Sequence, residues 1–408
     1  FVGFEGKGLE GLERTFNKEL AATAGSMAYY RDAGRTPLYA VGSDYTAPRP
    51  GRDIQLTLDA VIQVRAEQAL AETCERYGAK AGQLVALNPH TGEILAMANY
   101  PTFDPGRING TEPAQRRNRC VTDVFEPGSI FKPLIWAVAT DAGVARPGEM
   151  IDCTESGVYV SPRGRRLRDS HGVGRVSWEE VLIHSSNIGM AIVGQRMGAG
   201  RLHDDVRALG FGRPTGSGLP GEVGGIVNPR SRWNHYSETS IPMGQEIAVT
   251  PLQITRAFAV VANGGYLVDP TIRMPDDSSP LSTPIYEQVI RPEIADLTRR
   301  VLRRVVTEGT GRRAQSDKVA IFGKTGTAQI PDRENGGYLE DAYVGSFVGG
   351  GPVRDPKIVV GCFIHHPDKS KGYYGGLVAA PVVREVIEAA LAYQRSADGD
   401  DRVAVWRP

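Results

Sequence analysis

The sequence has little that would anchor it, charge it or cross-link it. No run of roughly eighteen apolar residues appears in the 408, so no membrane-spanning helix is encoded here, and no charged start with a short apolar core marks a secretory leader. Lysine plus arginine number 47 and aspartate plus glutamate 47, and neither sign collects in a long block. Without a basic stripe, the electrostatic footprint of nucleic-acid binding is missing. The four cysteines, Cys74, Cys120, Cys153 and Cys362, lack Cys-x-x-Cys spacing, which argues against a thiolate zinc site and a redox pair and leaves disulfides open. The seven histidines, including His365-His366, are not spaced with carboxylate or thiol partners, so no metal and no cofactor are expected.

Glycine is abundant, at 49 residues, while apolar content stays ordinary, which implies many tight turns within a folded chain. Leu9, Leu12, Phe16 and Leu20 predict a short amphipathic helix, and the Pro48-Arg49-Pro50-Gly51 cluster sets a first boundary. Ile54–Leu58 alternates like a strand and runs into Asp59, a helix cap, followed by Ile62, Ala66, Ala69, Leu70 and Cys74 on one helical face. Gln83–Leu87 and Glu93–Met97 flank a Pro/Gly loop as a hairpin. Ser177-Trp-Glu-Glu180 has the form of a capping box for a helix continuing through His184-Ser-Ser-Asn187 to Ile192, with loops and short helices then to about Arg232. Thr250 starts another helix, closed by Asn263-Gly-Gly265; Ile294–Thr307 is a helix with a solvated basic face at Arg299, Arg300, Arg303 and Arg304. Glu222 reads as a loop brace. Strands at 319–322, 342–348 and 357–364 and a helix at 381–394 complete an α+β fold, an antiparallel sheet flanked by helices.

Three short motifs carry chemistry. In Glu126-Pro-Gly-Ser129-Ile-Phe-Lys132-Pro133, a turn signal precedes apolar residues at helical spacing, so Ser129 and Lys132 share one face near a helix start. A serine hydroxyl becomes a nucleophile when a neighbouring base takes its proton, and a lysine can be that base if burial and a second cation lower its pKa. Ser-x-x-Lys alone arises about once or twice by chance in such a chain. Ser185-Ser186-Asn187 follows in sequence, where back-bonding within a helix is the plain alternative. Lys324-Thr325-Gly326-Thr327 then ends a strand-like run; a Lys-Thr-Gly triplet occurs by chance in about one such chain in ten. Their coincidence in this order is improbable by accident.

With these motifs the chain resembles the transpeptidase domain of class B penicillin-binding proteins, a fold shared with serine β-lactamases in which the sheet adjoins a mainly helical lobe. Leu56-Thr-Leu-Asp59, Asn88-Pro-His-Thr-Gly-Glu-Ile-Leu-Ala-Met97, Gly244-Gln245 before Thr250-Pro-Leu-Gln253, and Tyr374-Gly-Gly376 before Ala380-Pro381 are similar too, and the short path from Asn118-Arg119 to Glu126 is most like the division-type member. The resemblance implies a transpeptidase domain at 51–396, the end of a non-catalytic pedestal at 1–50 and a tail at 397–408. The start at Phe1-Val2-Gly3 suggests an upstream segment, and the family implies an N-terminal anchor holding the enzyme at the extracytoplasmic face of the bacterial membrane.

It further implies that Ser129 attacks the bond between two terminal D-alanines of a peptidoglycan stem peptide with Lys132 as base. Ser185 would relay protons, and Asn187 would bind the substrate amide. Lys324 would supply charge that keeps Lys132 neutral. Thr325, Gly326 and Thr327 would hold the substrate, and the N–H groups of Ser129 and Thr327 would form the oxyanion hole. β-Lactam antibiotics would acylate Ser129, and a membrane glycosyltransferase and division proteins would be partners. A D,D-carboxypeptidase, a serine β-lactamase, and a β-lactam sensor or division scaffold are the alternatives. No Glu-x-x-Leu-Asn run follows Asn187 to activate a deacylating water.

Overall fold

The computed structural model describes residues 2–3, 6–275, 287–332 and 334–397. Contacts divide the chain into two units, Phe1–Leu56 with Gly218–Pro220, and Thr57–Ser217 with Gly221–Pro408. The division falls a few residues beyond the Pro48–Gly51 cluster. In the smaller unit the expected helix is two short ones, Gly11–Thr15 and Asn17–Leu20, interrupted at Phe16; neither buries a residue, so packing has nothing with which to fuse them. Strands Ser26–Arg31 and Pro37–Thr46 pair antiparallel in the same unit.

The larger unit opens differently from the expectation. Ile54–Leu58 forms no strand; Thr57 instead donates its hydroxyl to the carbonyls of Ile94 and Thr271. Asp59 does cap helix α1, Ala60–Arg76, accepting from the N–H groups of Val61 and Ile62, and all five apolar residues of the expected face are buried. Strands β1, Ala81–Leu87, and β2, Ile94–Tyr100, make the hairpin. Helix α2 spans Lys132–Asp141, α3 Trp178–Ile183 and α4 Asn187–Ala208. Helices α5, Pro251–Ala262, and α6, Pro292–Thr307, follow, then β3, Phe322–Pro331, β4, Tyr338–Gly351, β5, Ile358–His365, and α7, Ala380–Ala397.

The five strands form one antiparallel sheet in the order β3-β4-β5-β1-β2. Successive side chains alternate faces. On β5, Val360, Cys362 and Ile364 pack with α1 and α7, whereas Val359 and Phe363 join the core beneath α2, α5 and α6. All four cysteines are buried and free. No helix among the described residues is long and apolar enough to cross a membrane.

Three further expectations are corrected. The helix through His184–Asn187 is broken: Ser185 sits at φ 59, and Ser186 recaps the chain to start α4, itself kinked at Gly198, where φ is 73. Arg299 does not face solvent; it is 8% exposed and donates to the carbonyls of Val353, Val261 and Ala262, its aliphatic stem lying on the inner side of α6. Lys324–Thr327 lies inside β3 rather than at its end, because pairing with β4 continues to Pro331. Glu222 is a brace, accepting from the Thr215 N–H and from the hydroxyls of Thr215 and Ser217. Most of the tail, residues 398–408, lies outside the described residues.

Candidate active site

The nucleophile's turn is built by glycine. Gly128 takes φ 55, a conformation that disfavours a side chain, and Gly128–Ile130 forms a single 3-10 turn feeding α2. The Gly128 N–H donates to Gly244 O at 3.0 Å. Gly244 must itself be glycine: it sits at φ 78, and a Cβ there would lie 2.3 Å from Gly128 O. Pro133 falls in the first turn of α2, where its missing N–H costs no hydrogen bond. Ser129 is half-buried at this turn, and Lys132 is 0% exposed.

An amine is held inside because its helix is. Leu134, Ile135, Trp136 and Val138 are all buried, each worth about 1.5–3 kcal/mol, which offsets the desolvation of Lys132. Trp136 stacks on Trp178 at 5.9 Å and donates to its carbonyl, so α2 is fixed to α3 and to the helix break that follows. Across that break Lys132 Nζ donates to Ser185 O at 2.6 Å, Asn187 Oδ1 at 2.7 Å and Ser185 Oγ at 3.2 Å. The amine's hydrogen bonds thus run to the Ser185–Asn187 turn; Ser129 is its neighbour one helical turn back.

Asp169 was not legible in the sequence. It accepts from Ser186 Oγ at 2.5 Å and from the N–H groups of Asn187 and Ile188, clamping the turn that holds the amine. Burial pushes Lys132 down to about 7, and the negative charge of Asp169 acts in the opposite direction. Asp169→Asn is therefore expected to move the acid limb of the acylation rate to lower pH while slowing acylation about tenfold to hundredfold, as the turn loosens. An acid limb that stays in place under pH-varied stopped-flow acylation contradicts this role.

Lys324, also 0% exposed, is held well below its ordinary value, first by burial and then by repulsion from Lys132. Its Nζ donates to Thr325 O at 3.0 Å. Two buried amines repelling one another do not readily both carry a proton. At Lys132 itself the lowering cause is burial.

Strand β3 is one edge of the sheet, and Gly326 lets it approach the nucleophile. A Cβ at Gly326 would lie 3.0 Å from Ile130 and 3.3 Å from Pro127 O, and one at Gly128 would lie 3.4 Å from Ala328. Thr325 Oγ1 shares a 2.6 Å hydrogen bond with Thr310 Oγ1, a residue sequence reasoning missed; Thr327 Oγ1 accepts from Gly375 N–H at 3.1 Å. The Gly309-Thr-Gly311 loop after α6 was the available signal for Thr310. All eight predicted residues therefore come to one place: Ser129 and Lys132 at the start of α2, Ser185 and Asn187 at the helix break, and 324–327 along the facing strand edge.

The model of the penicillin binding protein transpeptidase domain matches residues 82–388. The chain belongs to this family. Among curated relatives, it is 34% identical to "Probable peptidoglycan D,D-transpeptidase PenA" of Neisseria gonorrhoeae, over 96% of this chain and 66% of the relative. It is 34% identical to "Stage V sporulation protein D" of Bacillus subtilis, over 96% of this chain and 61% of the relative. The chain thus spans roughly three fifths to two thirds of their length. Among solved structures, penicillin-binding protein 3 of Mycobacterium tuberculosis in complex with aztreonam superposes with a TM-score of 0.83 at 31% identity, covering 100% of this chain and 88% of that one. The transpeptidase domain of Burkholderia pseudomallei penicillin-binding protein 3 gives 0.75 at 30%, covering 85% and 98%. As a member of the penicillin-binding protein transpeptidase family, the chain has the α+β architecture expected of it.

Proposed function

We propose that the chain is a serine D,D-transpeptidase that cross-links peptidoglycan stem peptides and is blocked covalently by β-lactams. The observation that carries this is the buried Lys132 amine, held near neutrality one helical turn from Ser129. In the first step Lys132 takes the Ser129 hydroxyl proton as the oxygen attacks the carbonyl between the two terminal D-alanines. The N–H groups of Ser129 and Thr327 stabilise the oxyanion. The terminal carboxylate binds the hydroxyls of Thr325 and Thr327 beside Lys324, whose proton affinity its negative charge raises.

The peptide bond breaks, D-alanine leaves with the proton returned through Lys132 and Ser185, and an ester to Ser129 remains. The amine of a second stem peptide, oriented beside Asn187, then displaces the serine oxygen and makes the cross-link. The similarity to the Neisseria gonorrhoeae protein named as a probable peptidoglycan D,D-transpeptidase, and to the Mycobacterium tuberculosis structure in complex with aztreonam, supports this reading.

In the same reading residues 51–396 are the enzyme, 1–50 the end of a pedestal and 397–408 a tail. The whole protein is anchored at the extracytoplasmic face of the membrane and works in septal wall synthesis beside a glycosyltransferase and division proteins. Exposure to penicillin with mass spectrometry is the test. One persistent penicilloyl adduct per chain is expected, with D-alanine release from a donor peptide rising when an acceptor amine is added. Sustained nitrocefin hydrolysis, or release indifferent to the acceptor, would replace the transpeptidase by a hydrolase.

A further inference from the structure

The side of the site that faces β3 carries cations for which the steps above have no use. Strands Val158–Val160 and Arg166–Arg168 form a small antiparallel hairpin, turned where the Gly164 N–H donates to Ser161 O at 2.8 Å. Alternation sorts its side chains. Leu167, paired with Tyr159, is buried in the core that holds α2 and α3, so Arg166 and Arg168 on either side of it point outward, and both are exposed.

This hairpin is fastened to the catalytic turn. Asn187 Nδ2 donates to Arg168 O at 2.8 Å while Asn187 Oδ1 accepts from the Lys132 amine, and Asp169, the next residue along, is clamped to Ser186 and Asn187. Arg168 therefore stands one hydrogen bond from the site.

Neither outward guanidinium has an acid to meet. Other exposed arginines of the molecule do: Arg65 pairs with Glu385, Arg196 with Glu149 and Arg304 with Glu308. Among the described residues Arg166 and Arg168 form no ion pair, and the adjoining Asp169 is already bonded within the turn. Arg165 turns the other way, to the Tyr236 carbonyl and the hydroxyls of Thr239 and Ser240. What remains is a bare cationic face, with Val158 and Val160 across the strands from the two arginines.

The reaction brings an anion to this side. In the transpeptidase reading the donor lies along β3, which leaves the second peptide to approach the Ser129 ester past Asn187. A peptide that attacks through an amine still carries its C-terminal carboxylate. We propose that Arg166 and Arg168 form an acceptor subsite that holds this carboxylate, the planar guanidinium forks matching its two oxygens. Holding the far end of the acceptor steadies the amine beside Asn187 and favours a peptide over water. This rests on the transpeptidase reading.

Two acceptors test it, an amine-bearing peptide with a free C-terminal carboxylate and the same peptide ending in a carboxamide. Cross-linked product, followed by mass spectrometry with the full chain and one fixed donor, is expected to favour the carboxylate acceptor about tenfold in kcat/KM, chiefly through KM, with the preference shrinking as salt is added. Arg166→Gln and Arg168→Gln together are expected to bring the ratio below about threefold, whereas Arg65→Gln, which removes a charge elsewhere, leaves it in place. Penicillin labelling reports that each variant is folded; should the double variant fail to label, the salt series on the unsubstituted chain decides. Equal use of the two acceptors, a preference that salt does not move, a ratio untouched in the double variant, or a penicillin-labelled chain that transfers to neither acceptor overturns the assignment. Absence of penicillin labelling and of donor turnover alike in the unsubstituted chain sinks the transpeptidase reading and the assignment resting on it.

Discussion

Lys132→Met is expected to slow acylation by penicillin about a thousandfold to ten-thousandfold, the range over which a positioned general base acts, while leaving the folded chain at least as stable at pH 7. The two halves of this result have one cause. Lys132 is fully buried, and its pKa is pulled from 10.5 to about 7 by that burial. Its folded-state value is the lower one, so between about pH 7 and the unfolded value the unfolded chain binds the extra proton, and stability rises with pH across that window. Below about pH 7 the folded chain must hold a buried charge. Methionine has nearly the same length and no charge, so it removes that cost. The carbonyl of Ser185 and the amide of Asn187 lose a donor, but both residues are half-buried and within reach of water. Thermal denaturation from pH 6 to 10 shows whether the pH slope disappears with the amine. A Lys132→Met protein that acylates at near the original rate has no lysine base.

Ser129→Ala is expected to abolish the penicilloyl adduct altogether. Unlike the loss of a base, the loss of the only atom that forms the bond leaves nothing to accelerate. Stability should change by less than about 0.5 kcal/mol, because the hydroxyl sits at a half-buried turn fixed by backbone contacts between Gly128 and Gly244. Intact-mass spectrometry together with a melting curve separates the two effects. An adduct on both proteins would place the chemistry elsewhere.

Much of this site could be read from residue order, because its parts are local. Ser129 and Lys132 share a helix start, so spacing alone puts them on one face, and Lys324–Thr327 is one unbroken stretch of a single strand. The break at Ser185 escaped, since a left-handed serine between two helical patterns has no compositional mark. Asp169 escaped for a different reason. It stands 17 residues before Ser186 on a separate segment, and only tertiary packing brings its carboxylate under that turn. Thr310, whose hydroxyl meets Thr325 across 15 positions, is of the same kind. Arg299 shows the limit of helical patterning: its position looks outward by charge, yet three carbonyls draw its guanidinium in. Ile54–Leu58 has a strand's alternation, yet this stretch meets the edge strand β2 through the Thr57 hydroxyl at Ile94 O and the following Asp59 N–H at Leu95 O rather than through a ladder.

The central claim is that the base is an uncharged amine at the working pH. It is tested most directly by following the side-chain ¹³Cε resonance of Lys132, assigned through Lys132→Met, from pH 5 to 11. The account predicts a midpoint near 7, with the acylation rate falling tenfold per pH unit below the same midpoint. A midpoint near the ordinary lysine value, or an acylation rate that ignores the titration, contradicts it.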